Sequence, residues 1–192
     1  MLLGTGNKGK IEEFFFYIGH FKLFEGFEIL KLSDLAHTLS EPDENSESFS
    51  GNATIKANHF YKKTQITTLS DDSGFILNSS KNFPGVKTAR FAKKNGGIDN
   101  AVKKIFEDIN TPQVLTTFHC SLALVGNRSN LVSQGTVTGN LVKNPLGKNG
   151  FGYDSYFIPL SKKMSYAEMN KEEKLFCSHR YFAFQDLANK IS

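Results

Sequence analysis

The sequence predicts an α/β or α+β fold on a mixed β-sheet. Two observations carry this. Stretches with helical spacing separate the first β-prone runs, as between helix-linked strands, and the middle of the chain reads as strands joined by a short turn, as in a hairpin. With 192 residues, 39% of them hydrophobic and 22% charged, the chain suits one domain spanning 1–192, of one or two lobes, with a sizeable core.

Residues 1–4 form a short strand that runs into Gly4-Thr5-Gly6-Asn7-Lys8-Gly9-Lys10. Ile11, Phe14, Phe15 and Ile18 then recur at i, i+3, i+4, i+7, an amphipathic helix ending at Gly19. The acidic stretch Glu41-Pro42-Asp43-Glu44-Asn45-Ser46-Glu47 reads as a loop. Ser48 N-caps a second helix whose apolar stripe is Phe49, Ala53, Ala57 and Phe60. A strand at Ile66-Thr67-Thr68-Leu69 stops at Asp71-Asp72-Ser73-Gly74 and resumes at Phe75-Ile76-Leu77.

Residues 99–110 are helical, with Ala101, Val102, Ile105, Phe106 and Ile109 on one face. Residues 117–125 alternate as a strand should, and a turn at Gly126-Asn127-Arg128-Ser129-Asn130 leads to a partner strand reaching Val142. A Gly-rich loop at 147–152 precedes the strand Tyr156-Phe157-Ile158. Two capping boxes, Ser165…Glu168 and Asn170…Glu173, predict a short helix and a longer terminal one.

Composition excludes several function classes. Net charge is +4, from 23 basic and 19 acidic residues, with lysines scattered rather than blocked, so no nucleic-acid partner is expected. No apolar run approaches the roughly 18 residues of a membrane span, and Met1-Leu2-Leu3 is too short for the apolar region of a signal peptide. Cys120 and Cys177 form no C-x-x-C pair, which fits a reduced cytoplasmic protein.

The segment Gly4 to Lys10 fits three phosphate-binding patterns: G-x-G-x-x-G, G-x-x-x-x-G-K and T-G-N-x-G-K. All bring backbone N–H groups and a helix N-terminus to an anion. The Walker A reading fails because Ile11 stands where a Ser or Thr hydroxyl is needed for Mg²⁺. Asp71-Asp72-Ser73-Gly74 reads either as a chain-reversing turn or as a carboxylate pair for Mg²⁺ and general-base work. The acidic loop is either a solvated loop or a second carboxylate source. Asn149-Gly150-Phe151-Gly152-Tyr153-Asp154 exposes aromatics and an Asp suited to a nucleobase, or turns core aromatics into a strand. Ser178-His179-Arg180 offers donors for a carbonyl or phosphate oxygen, or is an ordinary surface pair.

Taken together and in order, Thr5 to Lys10, Ser48-Phe49 with Asn52-Ala53-Thr54-Ile55-Lys56-Ala57, Asp71 to Gly74, Pro84-Gly85-Val86-Lys87-Thr88-Ala89-Arg90, Phe118-His119-Cys120, Gly150 to Asp154, Glu172-Glu173-Lys174 and Ser178-His179-Arg180 resemble the inosine triphosphatase-like family over nearly the whole chain. The resemblance implies an elongated two-lobed α/β fold around a long central mixed sheet, with the substrate between the lobes, and a homodimer. It implies Mg²⁺-dependent hydrolysis of dITP, ITP or XTP to monophosphate and pyrophosphate. It places Thr5, Gly6, Asn7, Lys8, Gly9, Lys10, Lys56 and Ser73 on the triphosphate and makes Asp72 the catalytic carboxylate and a metal ligand. It puts the second metal carboxylate at Asp43, with Glu41 and Glu44 as the alternatives, and sets Phe151, Gly152, Tyr153, Asp154, Lys174, His179 and Arg180 around the purine.

The chain departs from the family at Gly4 (usually Ala), Gly51 (usually Glu) and Ser155 (usually Pro), and its first strand is shorter, as if the family's usual start lay a few residues upstream. Two other readings remain: a dinucleotide-binding, Rossmann-type oxidoreductase using Glu25 for the ribose, and a nucleotide-binding module without catalysis.

Overall fold

The computed structural model describes residues 1–107, 109–127 and 129–191. Its strands are β1 (Leu2–Leu3), β2 (Leu30–Lys31), β3 (Thr68–Leu77), β4 (Gln113–Gly126), β5 (Ser129–Val142) and β6 (Phe157–Pro159). Its α-helices are α1 (Lys8–His20), α2 (Phe49–Thr64), α3 (Thr88–Lys94), α4 (Ile98–Ile105), α5 (Lys171–Leu175) and α6 (His179–Ile191). The strands form a six-stranded sheet in the order β2-β1-β3-β4-β5-β6. Both β2 and β3 pair with β1 in parallel, Leu2 opposite Leu30 and Thr68, whereas β6 runs antiparallel to β5 with Leu141 opposite Phe157. The sheet is therefore mixed, as the sequence predicts.

The chain divides into two compact units: Met1–Ser73 with Cys120–Gly135 and Arg180–Ser192, and Gly74–His119 with Thr136–His179. In the first, α1 begins where Asn7 caps it, accepting from Lys10 N at 3.1 Å, and buries Phe14, Tyr17 and Ile18. Phe14 and Tyr17 pack against Phe184 of α6, with ring centroids 5.2 Å apart in both pairs. Helix α2 begins at the cap Ser48, whose hydroxyl accepts from Gly51 N at 3.1 Å, and Ala53 and Ala57 pack with Ala123 and Val125 of β4. In the second unit, Phe75, Phe118, Phe157 and Tyr166 form an aromatic core, closed by Ala101, Val102 and Ile105 of α4.

Several elements differ from the sequence reading. The Asp71-Asp72-Ser73-Gly74 stretch is no turn: β3 runs unbroken from Thr68 to Leu77. Here tertiary packing overrides the turn preference of Asp and Gly. Gly74 serves instead as a point of close approach, because a Cβ there would lie 2.5 Å from Thr88 Oγ1 and 2.9 Å from Gly85 O. Thr88 in turn accepts from Phe75 N at 3.1 Å and opens α3, a helix the periodicity did not indicate. The helix expected over 99–110 is shorter, ending at Ile105, and Asp108 lies outside the described residues, as does Arg128 of the hairpin turn.

A further difference is at the two capping boxes. Both form: Ser165 N donates to Glu168 Oε2 and Asn170 N to Glu173 Oε2, each at 2.8 Å. Only the second starts a helix, the five-residue α5, because the first closes a turn in which Tyr166 is fully buried against Phe157. The terminal helix, α6, begins separately at His179. Among the described residues, no helix is long and apolar enough to cross a membrane.

Gly4 is a second point of close approach. A Cβ there would collide with Ser70 Oγ and come within 2.9 Å of Phe60 Cδ2. Ser70 Oγ is buried without a hydrogen-bond partner, so the hydroxyl occupies the methyl's place at a cost. Gly4→Ala alone is expected to destabilise by about 1–3 kcal/mol through overpacking. Ser70→Ala should be neutral or stabilising, and the double variant should recover most of the loss in thermal unfolding. A double variant as unstable as Gly4→Ala would refute the pairing.

Candidate active site

In the first unit, β1 delivers the chain to the Gly-rich loop, whose register is fixed by Gly4 N donating to Leu69 O at 2.8 Å. Thr5 is buried and its Oγ1 accepts from Asn7 N at 3.3 Å, while Gly6, Asn7 and Lys8 are exposed and Gly9 and Lys10 half-buried. The loop thus shows exposed backbone at the N-terminus of a 13-residue helix, a setting for anionic oxygen.

Adjacent strand residues point to opposite faces, and Asp71 and Asp72 obey this. Asp72 faces α2, where Asn52 Nδ2 donates to its Oδ2 at 3.1 Å. Asn52 and Lys56 are one helical turn apart on the same face as Phe60, so the α2 face over β3 is buried and polar at one end and apolar at the other. Asn52 also accepts from Ser46 N at 2.9 Å through its Oδ1, which ties the acidic loop to Asp72.

Within that loop Glu44 ion-pairs with Lys56, Oε1 to Nζ at 2.7 Å, whereas Asp43 is exposed. The carboxylate that reaches the Asp72 side is therefore Glu44, one residue beyond the position expected from sequence. Glu41 lies by the Gly-rich loop, its Oε1 3.6 Å from where a Cβ on Gly6 would be.

The charges around Asp72 are unequal. Burial pushes its carboxyl up to about 6, with Glu44 adding to the rise and Lys56, the Asn52 hydrogen bond and Lys10 opposing it. Burial also works against the Lys56 charge, but Asp71, Asp72 and Glu44 outweigh it and raise its pKa. Asp71 faces the other way. It is wholly buried, which opposes ionisation, yet Lys10, Arg180 and Lys56 hold it well below the usual carboxylate range.

Arg180 also belongs to the first unit. Its guanidinium pairs with Glu13, donates to Ser73 Oγ at 3.2 Å and lies 3.9 Å from Asp71 Oδ2. The resemblance sets Arg180 beside the purine; the partners the structure gives it here are Glu13, Ser73 and Asp71, all in the first unit.

In the second unit, Gly150 and Gly152 take φ of 74° and 64°, conformations glycine adopts freely. They fold the loop so that Asp154 Oδ2 accepts from Phe151 N at 2.9 Å and from Lys174 Nζ at 2.8 Å. Lys174 Nζ also stands 5.3 Å from the ring centroids of Phe151 and Tyr166, so the ammonium is enclosed by one carboxylate and two π faces. Tyr153 is a core residue, edge-on to Phe75 at 4.8 Å, and burial pushes its hydroxyl up to about 12. His179 is buried, edge-on to Phe118 at 5.4 Å and stacked with Tyr166 at 6.3 Å.

Sequence reasoning missed Asn52 and Glu13, and left the choice among Asp43, Glu41 and Glu44 open. A signal existed for Asn52: a polar residue four before Lys56, flanking an apolar stripe. Glu25, the acid required for a ribose contact, is exposed in the turn before β2 rather than at a strand end.

Known proteins resemble this chain along nearly its whole length. The Ham1 family model matches residues 1–190. A dITP/XTP pyrophosphatase of Halalkalibacterium halodurans is 34% identical, covering 97% of this chain and 95% of that protein. A dITP/XTP pyrophosphatase of Coxiella burnetii is 30% identical over 100% of this chain and 96% of that one. The solved structure of a HAM1 protein from Coxiella burnetii superposes with a TM-score of 0.83 at 30% identity, covering 99% of this chain and 96% of that one.

Proposed function

Because the chain belongs to the Ham1 family, we propose that it is a nucleoside-triphosphate pyrophosphatase that hydrolyses dITP, ITP and XTP to the monophosphate and pyrophosphate. The observation that carries the proposal is Asp72, a buried carboxylate held by Asn52, pushed up to about 6 and set among Lys56 and Glu44. A carboxylate in that state can accept the proton of an attacking water, which is otherwise a poor nucleophile at phosphorus. Lys56 stabilises charge developing along the phosphate chain, Lys10 holds the bound triphosphate, and the exposed loop from Gly6 to Lys8 with Thr5 and Ser73 supplies the remaining donors.

The donor set suits Mg²⁺. Among the described residues, no three His, Cys, Asp or Glu side chains form a metal cage, but Mg²⁺ is commonly held by one or two carboxylates, retained waters and the substrate's own phosphates. Asp72 and Glu44 would hold it, and the bound ion supplies charge neutralisation at the phosphates. Glu44 replaces Asp43 in this assignment.

The base end falls to Phe151, Gly152, Asp154, Lys174 and His179. Hypoxanthine and xanthine carry an oxo group at the 6-position, which accepts from cationic or N–H donors; the adenine amino group would set donor against donor. A hydrogen-bonded site rejects the wrong base by orders of magnitude, because buried groups are left unpaired. We further assign a cytoplasmic homodimer.

A pyrophosphate-release panel over ITP, dITP, XTP, GTP and ATP with Mg²⁺ tests the reading. Turnover of the first three is expected to exceed that of ATP by about 10² or more in kcat/KM. Folded protein that releases no pyrophosphate from any of them would end the catalytic reading, and stabilisation by NAD without turnover would favour the oxidoreductase.

A further inference from the structure

The carboxylate pair on β3 is split between two faces, and the face opposite Asp72 has its own organisation. Asp71 Oδ2 accepts from Lys10 Nζ at 2.9 Å and from Ser73 Oγ at 3.0 Å, with Arg180 Nη2 at 3.9 Å. Arg180 pairs in turn with Glu13, which shares the α1 face with Lys10 at i+3. The charges therefore alternate, Lys10, Asp71, Arg180, Glu13, with Ser73 accepting from Arg180 and donating to Asp71. Asp71 is fully buried, while the Lys10 side chain retains 17% exposure beside the phosphate loop.

Remove the Asp71 charge and two cations face each other across a buried gap with no anion between them. Lys10, the only one of the two with access to water, would swing away from the loop. A buried carboxylate at this spot thus fixes an ammonium in place before any substrate arrives, and a preorganised cation lowers the cost of binding the triphosphate. Asp72, by contrast, is held on the other face by an amide and has Lys56 and Glu44 as charged neighbours.

We propose that Asp71 is a positioning residue for triphosphate binding: it neither ligates metal nor moves a proton, and it acts by holding the Lys10 ammonium at the phosphate loop. The inference rests on the pyrophosphatase reading above and deepens it. It separates two adjacent aspartates that the sequence presents as one unit.

The test compares Asp71→Asn, Lys10→Ala and the double variant in ITP hydrolysis, with a Mg²⁺ titration at saturating ITP. Asp71→Asn keeps the side chain's shape but turns an amide toward the ammonium. It should raise KM by about tenfold or more while changing kcat little and leaving the Mg²⁺ midpoint where it is in the wild type. The double variant should match Lys10→Ala alone, since both changes remove one interaction. A tenfold shift of the Mg²⁺ midpoint, a fall in kcat like that of Asp72→Asn, or multiplying single-variant effects would each overturn the proposal.

A second measurement needs neither turnover nor a folded Asp71 variant. In nucleotide-free wild-type protein the Lys10 ammonium protons, identified by their loss in Lys10→Arg, should give a resolved, slowly exchanging NMR signal. A Lys10 ammonium that exchanges as fast as those of exposed lysines would overturn the proposal even if the pyrophosphatase reading stands. If instead no substrate is turned over, the functional reading falls while the NMR result still decides the Lys10–Asp71 pair.

Discussion

Asp72→Asn is expected to lower kcat for ITP by about 10²–10⁴-fold and, in the absence of metal, to raise the melting temperature. The two effects have one cause. The Asp72 carboxyl is pushed up from 3.8 to about 6, chiefly by burial, so the folded state binds its proton more tightly than the unfolded chain does. Its contribution to stability therefore favours the fold below the unfolded value and is lost as pH rises through the interval from 3.8 to about 6. Above that interval the ionised group costs on the order of 2–3 kcal/mol in the metal-free protein.

Asparagine removes that cost and still offers Asn52 Nδ2 an acceptor. At about 2–4 °C per kcal/mol for a chain of this size, the gain should be several degrees at neutral pH and should vanish near pH 4. A variant that lost activity together with stability, by the same amount at every pH, would mark Asp72 as a structural residue rather than the proton acceptor.

The parts of this site that were legible from sequence are those encoded locally. Ser48 announces its helix because an N-cap is a matter of one side chain and the next three N–H groups, and it caps as expected. The Gly-rich segment from Thr5 to Lys10 is legible as a loop opening a helix for the same reason: loop and helix N-terminus are contiguous. Phe151, Asp154 and Lys174 were assigned to one region by the resemblance, and within the second unit the structure does bring them together.

What stayed hidden depends on which face a residue takes. Asp71-Asp72-Ser73-Gly74 reads as a turn because each residue prefers one, and only the burial of β3 between helices makes it a strand. Once it is a strand, pleating separates Asp71 from Asp72, and no composition-based argument assigns each to its side. The choice between Asp43 and Glu44 is of the same kind. An irregular loop has no periodicity, so which acid points at Lys56 is set by the Asn52–Ser46 hydrogen bond. Arg180 follows His179 in sequence, yet the first residue of the α6 segment in the first unit is Arg180 and the last residue of the second unit is His179. Their partners are correspondingly different.

Lys56→Met is expected to lower kcat/KM by about 10²–10³-fold, the loss typical of removing one preorganised electrostatic donor, and to destabilise the protein strongly at neutral pH. Methionine keeps the length and burial of the stem but removes the cation paired with Glu44, leaving Asp72 with a carboxylate neighbour and less compensation. Breaking a buried ion pair in this way typically costs about 3–5 kcal/mol. The pH dependence identifies the mechanism. Asp71, Asp72 and Glu44 raise the Lys56 pKa above its ordinary 10.5, outweighing burial, so its stabilising charge is fully present at lower pH and is lost only in the alkaline range. Across pH 5 to 8 the wild-type lysine does not change, and any variation in the variant's deficit must come from the acids it leaves behind. With Lys56 gone Asp72 rises further and takes up a proton earlier, so the deficit should shrink at pH 5 and reach its full size by pH 8 in chemical denaturation. A deficit equal at both values would mean that methionine fails by its shape, and that the Lys56 charge does not hold the Asp72 side of the site together.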